Sequence, residues 1–387
     1  MAIPTGWNAA AHDAWTAGRR GEAVGAAFAE LNAATDPGPE KFLQPAYYLF
    51  ILGDFAAGRT ILESGLARHP DDVNLLDNTA VFQSRAGAHA EARRTLEHYL
   101  AVGGTGTNAL DGLTAACHRS GDDEAAREWG RRAIEEKTRI AAAAAAPALA
   151  LGQPRARGLK VISFSLWGDQ PRYLRGALHN ATRAHLVYPD FHCRFHVDRS
   201  VPADLLDALD GEGAELVIGE GHPPTRERLT RRFLVADDPH VALYLVRDCD
   251  SLVNAREAAA VGLWLAGDQP FHVMRDWWTH TDPMLAGMWG GRGGVLPPLA
   301  PLIAGYKSGL LETPSWDQWW LRDLVWPSIR THALVHDRFF ASEGAQPFPG
   351  LAPPGNLHVG QDEYAVRRAA QAEELAEFAA SVPSLKL

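Results

Sequence analysis

Apolar residues in roughly the first 140 positions recur with helical spacing, and this pattern repeats along the chain. Gly53, Gly87 and Gly121 stand 34 residues apart, and an aliphatic residue follows each of them thirteen positions later. Gly18 begins a similar copy that is displaced by one residue. Glycine readily ends a helix, and Pro70 breaks the chain between two copies. The pattern therefore predicts pairs of helices that repeat every 34 residues.

This period and pattern resemble tetratricopeptide repeats over roughly residues 10–140. One helix pair cannot bury its apolar face alone, so three or four pairs must stack to form a stable array. The resemblance implies a concave surface that binds a peptide or a protein. The alternative is that the array only supports the second domain or a dimer.

From residue 159 onward the pattern changes to short apolar runs that alternate with helical segments. Strands are predicted at 160–166, 191–197, 215–218 and 241–246, and helices at 173–186, 200–209 and 231–236. This alternation favours an α/β fold with a mostly parallel sheet. An alanine-rich stretch at 139–154 predicts a last repeat helix and a linker. We expect a helical repeat domain at 1–150, an α/β domain at 151–345, and a C-terminal loop and helix at 346–387.

Composition narrows the functional classes. The 387 residues include 37 Lys and Arg against 47 Asp and Glu, a net charge of −10 that offers no basic surface for nucleic acid. The three cysteines do not form a disulfide framework. The amino terminus lacks the pattern of a secretion signal, and no apolar run is long enough to span a membrane. We therefore expect a cytoplasmic protein.

Two carboxylates follow the fourth predicted strand. Asp248 and Asp250 are separated by Cys249, and they stand at the carboxyl end of a strand, where ligands bind in parallel sheets. Paired carboxylates are hard oxygen donors suited to Mg²⁺ or Mn²⁺, and such an ion can also bridge a diphosphate. A D-x-D motif arises by chance in many chains, and its position after an apolar strand is what gives it weight here.

The motif and its surroundings resemble glycosyltransferases of the GT-A type, in segments 160–169, 191–202, 232–251, 271–291 and 317–337. The resemblance implies a Rossmann-like, mixed but mostly parallel sheet, and a nucleotide-sugar donor held by a metal ion. It implies that Asp250 ligates the metal, and that Asp248 contacts the metal or the donor ribose. His336 is the candidate for a further metal ligand, with Asp337 as its substitute.

Other strand ends supply candidates for donor binding. Trp167 could stack on the nucleobase, Gly168 permits close backbone approach, and Asp198 could accept a hydrogen bond from the base or ribose. Core packing for Trp167 and helix capping near Ser200 for Asp198 are the alternatives. Further donor-binding candidates are the cations Arg247 and Arg275, which suit a diphosphate, and Gly287, which allows a tight loop.

Two aspartates are candidates for catalysis. Asp317 begins a Trp-rich helix and is the preferred acid/base or substrate-binding residue, although it could serve only the helix dipole. Asp276 could bind a sugar hydroxyl, or it could simply pair with Arg275. Candidates for acceptor binding are His280, Trp289 and Gln318. Eight of the 12 tryptophans lie between Trp264 and Trp326, which suggests either an acceptor surface or core packing.

Together these patterns favour a metal-dependent glycosyltransferase that uses Mn²⁺ or Mg²⁺ and a UDP- or GDP-linked sugar. The acceptor would be a protein, peptide or glycan recruited by the repeats. Two alternatives stay open: a repeat scaffold with a catalytically silent sheet domain, and a nucleotidyl-type transferase. We expect no nucleic-acid partner, and a homodimer is left open. The sequence fixes neither the donor sugar, the acceptor nor the anomeric outcome.

Overall fold

The structure is a computed structural model that describes residues 3–144, 148–221, 223–306 and 315–387. It divides into two compact units, Met1–Ala133 and Ile134–Leu387. The helix Asp123–Ala143 crosses the boundary between them. The boundary expected near residue 150 lies beyond this helix, and residues 145–147 of the predicted linker are outside the described residues.

The N-terminal unit is an array of helix pairs. The helices are α1 Ala9–Thr16, α2 Arg20–Ala33, α3 Pro39–Leu52, α4 Phe55–Arg68, α5 Val73–Arg85, α6 His89–Ala101, α7 Thr107–Arg119 and α8 Asp123–Ala143. Gly18, Gly53, Gly87 and Gly121 separate the two helices of successive pairs, with φ of +80°, +79°, +76° and +82°. Such left-handed conformations are accessible to glycine at little cost. The predicted tetratricopeptide-like helical array is confirmed.

Apolar contacts between neighbouring helices stabilise the array. Leu62, Leu75 and Phe82 are buried between α4 and α5. A Cβ atom at Gly58 would overlap the ring of Phe82, so this glycine permits close approach of the two helices. Ion pairs also recur, such as Arg93 Nη1 with an Asp122 oxygen at 2.7 Å, but their partial exposure limits their contribution.

The C-terminal unit contains a seven-stranded sheet with the order β3-β2-β1-β4-β6-β5-β7. The strands are β1 Leu159–Leu166, β2 His192–Val197, β3 Glu215–Ile218, β4 Val241–Arg247, β5 Phe271–Arg275, β6 Met288–Arg292 and β7 Ala333–Asp337. Strand β6 is antiparallel to β4 and β5, and the other pairs are parallel. The predicted mixed, mostly parallel sheet is confirmed.

Helices and apolar side chains cover both faces of this sheet. The helices are α9 Pro171–Val187, α10 Ala203–Gly211, α11 Thr225–Thr230, α12 Ala255–Ala266, α13 Leu299–Gly305, α14 Trp316–Trp320, α15 Trp326–Ile329 and α16 Glu363–Glu374. The unit also contains a π-helical turn at Leu321–Val325 and short 3₁₀ helices at Arg231–Asp237, Arg330–His332, Ala376–Phe378 and Pro383–Leu385. Six tryptophans of the 264–326 region are buried, which favours core packing for most of that excess: Trp264, Trp278, Trp289, Trp316, Trp320 and Trp326.

The C-terminal segment packs on the sheet unit. Leu375, Val382 and Leu385 are buried in the same apolar cluster as residues of β1 and α9. Arg175 Nε on α9 donates a hydrogen bond to the carbonyl of Leu385 at 2.9 Å. The predicted C-terminal loop and helix therefore form part of this unit. Among the described residues, no helix combines the length and apolarity needed to cross a membrane.

Candidate functional site

A cleft of about 380 Å³ opens at the carboxyl ends of β1 and β4. Among the predicted site residues, it brings together Trp167, Asp248, Asp250, Asp317 and Gln318. Other side chains that line it are Arg172 and Tyr173 of α9, Arg232 of the 3₁₀ helix, and Asp362, which precedes α16. The cleft lies at the edge of the sheet formed by the carboxyl ends of the parallel strands, where such sheets bind their ligands.

Arg232 joins two of the predicted carboxylates. Its Nη1 contacts Oδ1 of Asp248, and its Nη2 lies 2.8 Å from Oδ2 of Asp317. Two serines on the same face of β1 anchor its backbone: Ser163 Oγ donates to the Arg232 carbonyl at 2.8 Å, and Ser165 Oγ accepts from the Arg232 N–H at 2.9 Å. The sequence analysis left this arginine out of the site. The signal for it was the pair of alternating serines in an apolar strand.

Arg172 holds the second carboxylate of the motif. Its Nε donates to Asp250 Oδ2 at 2.8 Å, and its Nη2 lies 3.2 Å from Asp362 Oδ2. The backbone N–H of Glu363 also donates to the Asp250 carbonyl at 2.9 Å. The C-terminal segment therefore forms one wall of the cleft. Asp362 carried only a local signal in the sequence, as the N-cap of α16, where it accepts from the Ala365 N–H.

Glycines allow the motif to sit in its place. A Cβ at Gly287 would overlap Asp248 Oδ2, so only glycine leaves room for that carboxylate. A Cβ at Gly176 of α9 would overlap the carbonyl oxygen of Cys249. Gly168 follows β1 with φ of +74° and donates its N–H to Ser200 Oγ at 2.7 Å, which fixes the turn beside Trp167. Gly287 is not among the described residues that line the cleft, so its predicted contact with the donor stays a prediction.

Burial and like charge shift the protonation of two carboxyl groups. Burial, reinforced by Asp248, raises the pKa of Asp317 to about 6 against the opposing charge of Arg232. Burial and Asp248 likewise raise the pKa of Asp250 to about 6, against Arg172. The described lining residues carry four aspartates and two arginines, a formal charge of 2 − 4 = −2. One divalent cation would balance this charge.

The donor set fits a hard divalent cation that keeps part of its hydration shell. Asp248 is 46% exposed and Asp250 is 14% exposed, so both carboxylates border the open cleft. In the described parts of the chain, no group of three His, Cys, Asp or Glu side chains is arranged to hold a metal. Mg²⁺ characteristically uses one or two carboxylates and completes its shell with water and substrate phosphates. Asp248 and Asp250 match that requirement.

The structure does not bring His336 to these carboxylates. It lies on the edge strand β7, fully buried, with its Nδ1 2.8 Å from Nε2 of His272. The substitute ligand, Asp337, is also buried, and its Oδ2 lies 3.0 Å from Arg275 Nε. Because β6 and β5 separate β7 from β4, the sheet order keeps both side chains away from the motif. The predicted ligand role of His336 has no support in this placement.

The two arginines predicted to bind a diphosphate have structural roles instead. Arg247 is buried, with its Nε 3.0 Å from Glu257 Oε1, and it donates to the carbonyl of Trp289 at 2.9 Å. Arg275 is engaged with Asp337 and also donates to the carbonyl of Pro283 at 2.7 Å. Neither is among the described residues that line the cleft. Their buried carboxylate partners explain the correction, since a guanidinium so enclosed has little freedom to meet a ligand.

Two predicted aspartates are likewise occupied. Asp276 forms a two-point ion pair with Arg256, with both N–O distances at 3.0 Å, and it is fully buried. It therefore does not pair with Arg275, and it is not among the described residues that line the cleft. Asp198 accepts from the Ser200 N–H at 2.9 Å, and Arg228 Nε lies 2.9 Å from its other oxygen. Burial would raise the pKa of Asp198, but the Ser200 hydrogen bonds and the nearby arginines hold it below its usual value.

Of the three acceptor candidates, one lies among the described residues that line the cleft and two do not. Gln318 lines the cleft beside Asp317, whose Oδ1 accepts from the Gln318 N–H at 2.9 Å. Trp289 is fully buried in the core, where its ring meets Tyr244 edge-on, so its predicted acceptor role is corrected to packing. His280 Nδ1 accepts from the N–H groups of Asp276 and Trp277 at 3.0 and 3.1 Å, which makes it a turn-stabilising residue. Burial lowers its pKa to about 3.

Comparisons with known proteins give distant likenesses. No family model and no curated protein sequence matches the chain. Among solved structures, a mutant O-GlcNAc transferase from Thermobaculum terrenum matches with a TM-score of 0.40 and 18% identity, covering 61% of this chain and 44% of that one. The chain thus spans less than half the length of that transferase. MamA from Desulfovibrio magneticus matches with a TM-score of 0.30 and 17% identity, covering 34% of this chain and 77% of that one.

A third likeness is to YrrB, described as a TPR protein with an unusual peptide-binding site. It has a TM-score of 0.30 and 15% identity, and the match covers 33% of this chain and 65% of YrrB. No family assignment follows. These likenesses are too distant to carry a functional argument.

Proposed function

We propose that this protein is a metal-dependent glycosyltransferase of the GT-A type that transfers a sugar from a UDP- or GDP-linked donor. The main support is one observation: Asp248 and Asp250, two arginines and the buried Asp317 meet in a single cleft at the carboxyl edge of the sheet. Carboxylates, cations and a partly protonated acid are the groups that transfer from a nucleoside diphosphate requires.

The donor would bind across the two sides of this cleft. Asp248 and Asp250 would hold Mn²⁺ or Mg²⁺, and an ion bound there would supply charge stabilisation for the departing diphosphate. Arg172, whose side chain is 42% exposed, would offer its guanidinium group to the phosphate oxygens, while Arg232 would hold Asp248 and Asp317 in place. Trp167 borders the cleft and offers an aromatic face to the base.

Asp317 is the proposed residue at the reacting sugar. Its pKa of about 6 lies close to neutrality, so the carboxyl group can hold or release a proton under working conditions. Arg232 fixes one of its oxygens at 2.8 Å, and the Gln318 N–H fixes the other at 2.9 Å. Such a fixed carboxyl group can orient a sugar hydroxyl or accept the proton of the acceptor hydroxyl. Gln318 would contact the acceptor.

The repeat array would recruit the acceptor, a protein, peptide or glycan. Stacked helix pairs present a continuous surface suited to an extended ligand. The alternative, that the array only supports the sheet domain or a dimer, is tested by deleting residues 1–120 and measuring transfer to a short acceptor and to a full-length acceptor separately. Loss of transfer to the full-length acceptor alone would support recruitment.

Calorimetry with Mn²⁺ and a panel of UDP- and GDP-sugars tests the proposal. We expect the wild-type protein to bind one donor in the presence of Mn²⁺, and Asp250→Ala to lose that binding. Asp190→Ala is the control, because this exposed aspartate of the same unit pairs with Lys160 at 2.9 Å, outside the cleft. Absence of binding to every donor would refute the proposed glycosyltransferase activity. Release of pyrophosphate from a nucleoside triphosphate would instead indicate a nucleotidyl-type transferase.

A catalytically silent sheet domain beside a working repeat scaffold is the second candidate. It is favoured by the observation that arginines already contact both carboxylates of the motif. In that case Arg172 and Arg232 would serve as permanent substitutes for the metal ion. Mn²⁺ would then fail to bind to the wild-type protein.

A further inference from the structure

Arg172 occupies an unusual place for a cation. It is the second residue of α9, at a helix N-terminus where the helix dipole favours negative charge. Its guanidinium group bridges Asp250 and Asp362, two carboxylates that are 112 residues apart in the sequence. The two carboxylates therefore hold the arginine in a position that the helix by itself disfavours.

The two arginines of the cleft differ in their freedom to move. The Arg232 side chain is 5% exposed and pairs with Asp248 and Asp317, and the serines of β1 hold its backbone. The Arg172 side chain is 42% exposed, and its two ion-pair partners are its main restraints. Arg232 is thus a buried part of the cleft wall, whereas the partly exposed Arg172 has solvent on one side of its side chain.

Asp250 can satisfy Arg172 or a divalent cation, but not both at full strength. Both Arg172 nitrogens that contact Asp250 meet the same oxygen, Oδ2, on the side of the cleft. A cation bound to this carboxylate would repel the guanidinium at short range. Asp362, whose Oδ2 lies 3.2 Å from Arg172 Nη2, would then remain as a partner for Arg172.

We propose that Arg172 is an internal counter-cation: it neutralises Asp250 while the cleft is empty, yields that carboxylate to the metal ion, and then turns onto the diphosphate of the donor. This inference rests on the proposed function. It makes metal and donor binding cooperative, since the metal releases the arginine that the phosphates need. It also explains why a cleft rich in carboxylates can bind an anionic ligand.

The substitution Arg172→Gln tests this role through two binding measurements that need no turnover. For Mn²⁺ alone, calorimetry should show about fivefold tighter binding, because a competing ion pair worth up to about 1 kcal/mol is removed. For inorganic pyrophosphate at saturating Mn²⁺, binding should be about tenfold weaker, because a charge-assisted contact is lost. A merely structural role would weaken both.

Arg183→Gln is the matched control. Arg183 lies on the same helix, is 43% exposed and pairs with Glu374 at 3.3 Å, so it resembles Arg172 except for its distance from the cleft. It should change neither affinity, and thermal unfolding should show that both variants are folded. Equal or weaker Mn²⁺ binding by Arg172→Gln would overturn the counter-cation role and leave the glycosyltransferase proposal standing. Absence of Mn²⁺ binding in every form would overturn both.

Discussion

Two groups of ion pairs follow the same edge of the sheet, and they differ in what they offer a ligand. At the ends of β4 and β5, Arg247 pairs with Glu257 and Arg275 pairs with Asp337, with every side chain at most 2% exposed. In the cleft, Asp248 remains 46% exposed although it contacts Arg232. The first group, here termed the closed pairs, satisfies its charges internally. The cleft group keeps an open face, so accessibility decides which charges are available for chemistry.

The largest effect should come from breaking a closed pair. Arg275→Ala leaves Asp337 buried without its cation, and we expect a loss of about 3–5 kcal/mol in the free energy of unfolding. Chemical denaturation measures this loss. Arg183→Ala, an exposed arginine of the same unit, serves as the control and should change stability by less than about 1 kcal/mol. A similar small loss for Arg275→Ala would remove the distinction between the two groups.

The next effect concerns pH and Asp317. Its pKa in the folded state, about 6, is raised above the usual value of 3.8, so the folded state binds the proton more tightly than the unfolded state does. The protonated carboxyl therefore favours folding below pH ~4, and this stability is lost as the pH rises toward 6. Asp317→Asn should gain about 2 kcal/mol relative to the wild type between pH 4 and 7.

Urea denaturation of both proteins at several pH values across that range measures this difference. Asp190→Asn, an exposed aspartate, is the control and should track the wild type. If Asp317→Asn and the wild type keep a constant difference in stability across the range, then the buried carboxyl does not titrate as described.

A third prediction tests whether metal binding depends on the position of the Asp248 carboxylate. Gly287→Ala places a Cβ against Asp248 Oδ2, and the displaced carboxylate should bind Mn²⁺ about tenfold more weakly. Gly262→Ala is the matched control, because a Cβ there meets no atom within 4 Å. Calorimetry with Mn²⁺ compares the two. Unchanged affinity for Gly287→Ala would indicate that Asp248 does not ligate the metal.

The smallest effect on stability should come from the Arg172–Asp250 pair of the cleft. Asp250→Ala removes a partner of the 42% exposed Arg172, and it also relieves the repulsion from Asp248. We therefore expect the free energy of unfolding to change by less than about 1 kcal/mol, measured by the same denaturation experiment as for Arg275→Ala. A loss as large as that of the closed pair would show that Asp250 is a structural residue.

Some features of the site could be read from the sequence because they are local. Asp248 and Asp250 follow an apolar strand directly, and Trp167 follows another, so strand prediction alone placed them at one edge. The missed residues come from distant segments. Arg232 meets Asp317 across 85 positions, and Arg172 meets Asp250 across 78. No spacing along the chain marks such pairs.

The site predictions for Arg247 and His336 were wrong for specific structural reasons. Arg247 is the last residue of β4 and is buried with Glu257, whereas Asp248 directly follows the strand and borders the cleft. His336 lies on β7, and the sheet order puts this strand at an edge, separated from β4 by β6 and β5. Strand order depends on packing between distant segments, which a single sequence does not reveal.

The sequence by itself determined the helical array, whose turns contain glycines with positive φ values. It also determined the alternation of strands and helices that forms the sheet unit. It also determined the motif after β4. Only the tertiary structure decided which charges remain accessible, that Arg232 and Asp317 join the motif, and that Asp362 lines the cleft. The physical reason is range: backbone conformation and apolar periodicity are set by neighbours in sequence, whereas burial and ion pairing are set by neighbours in space.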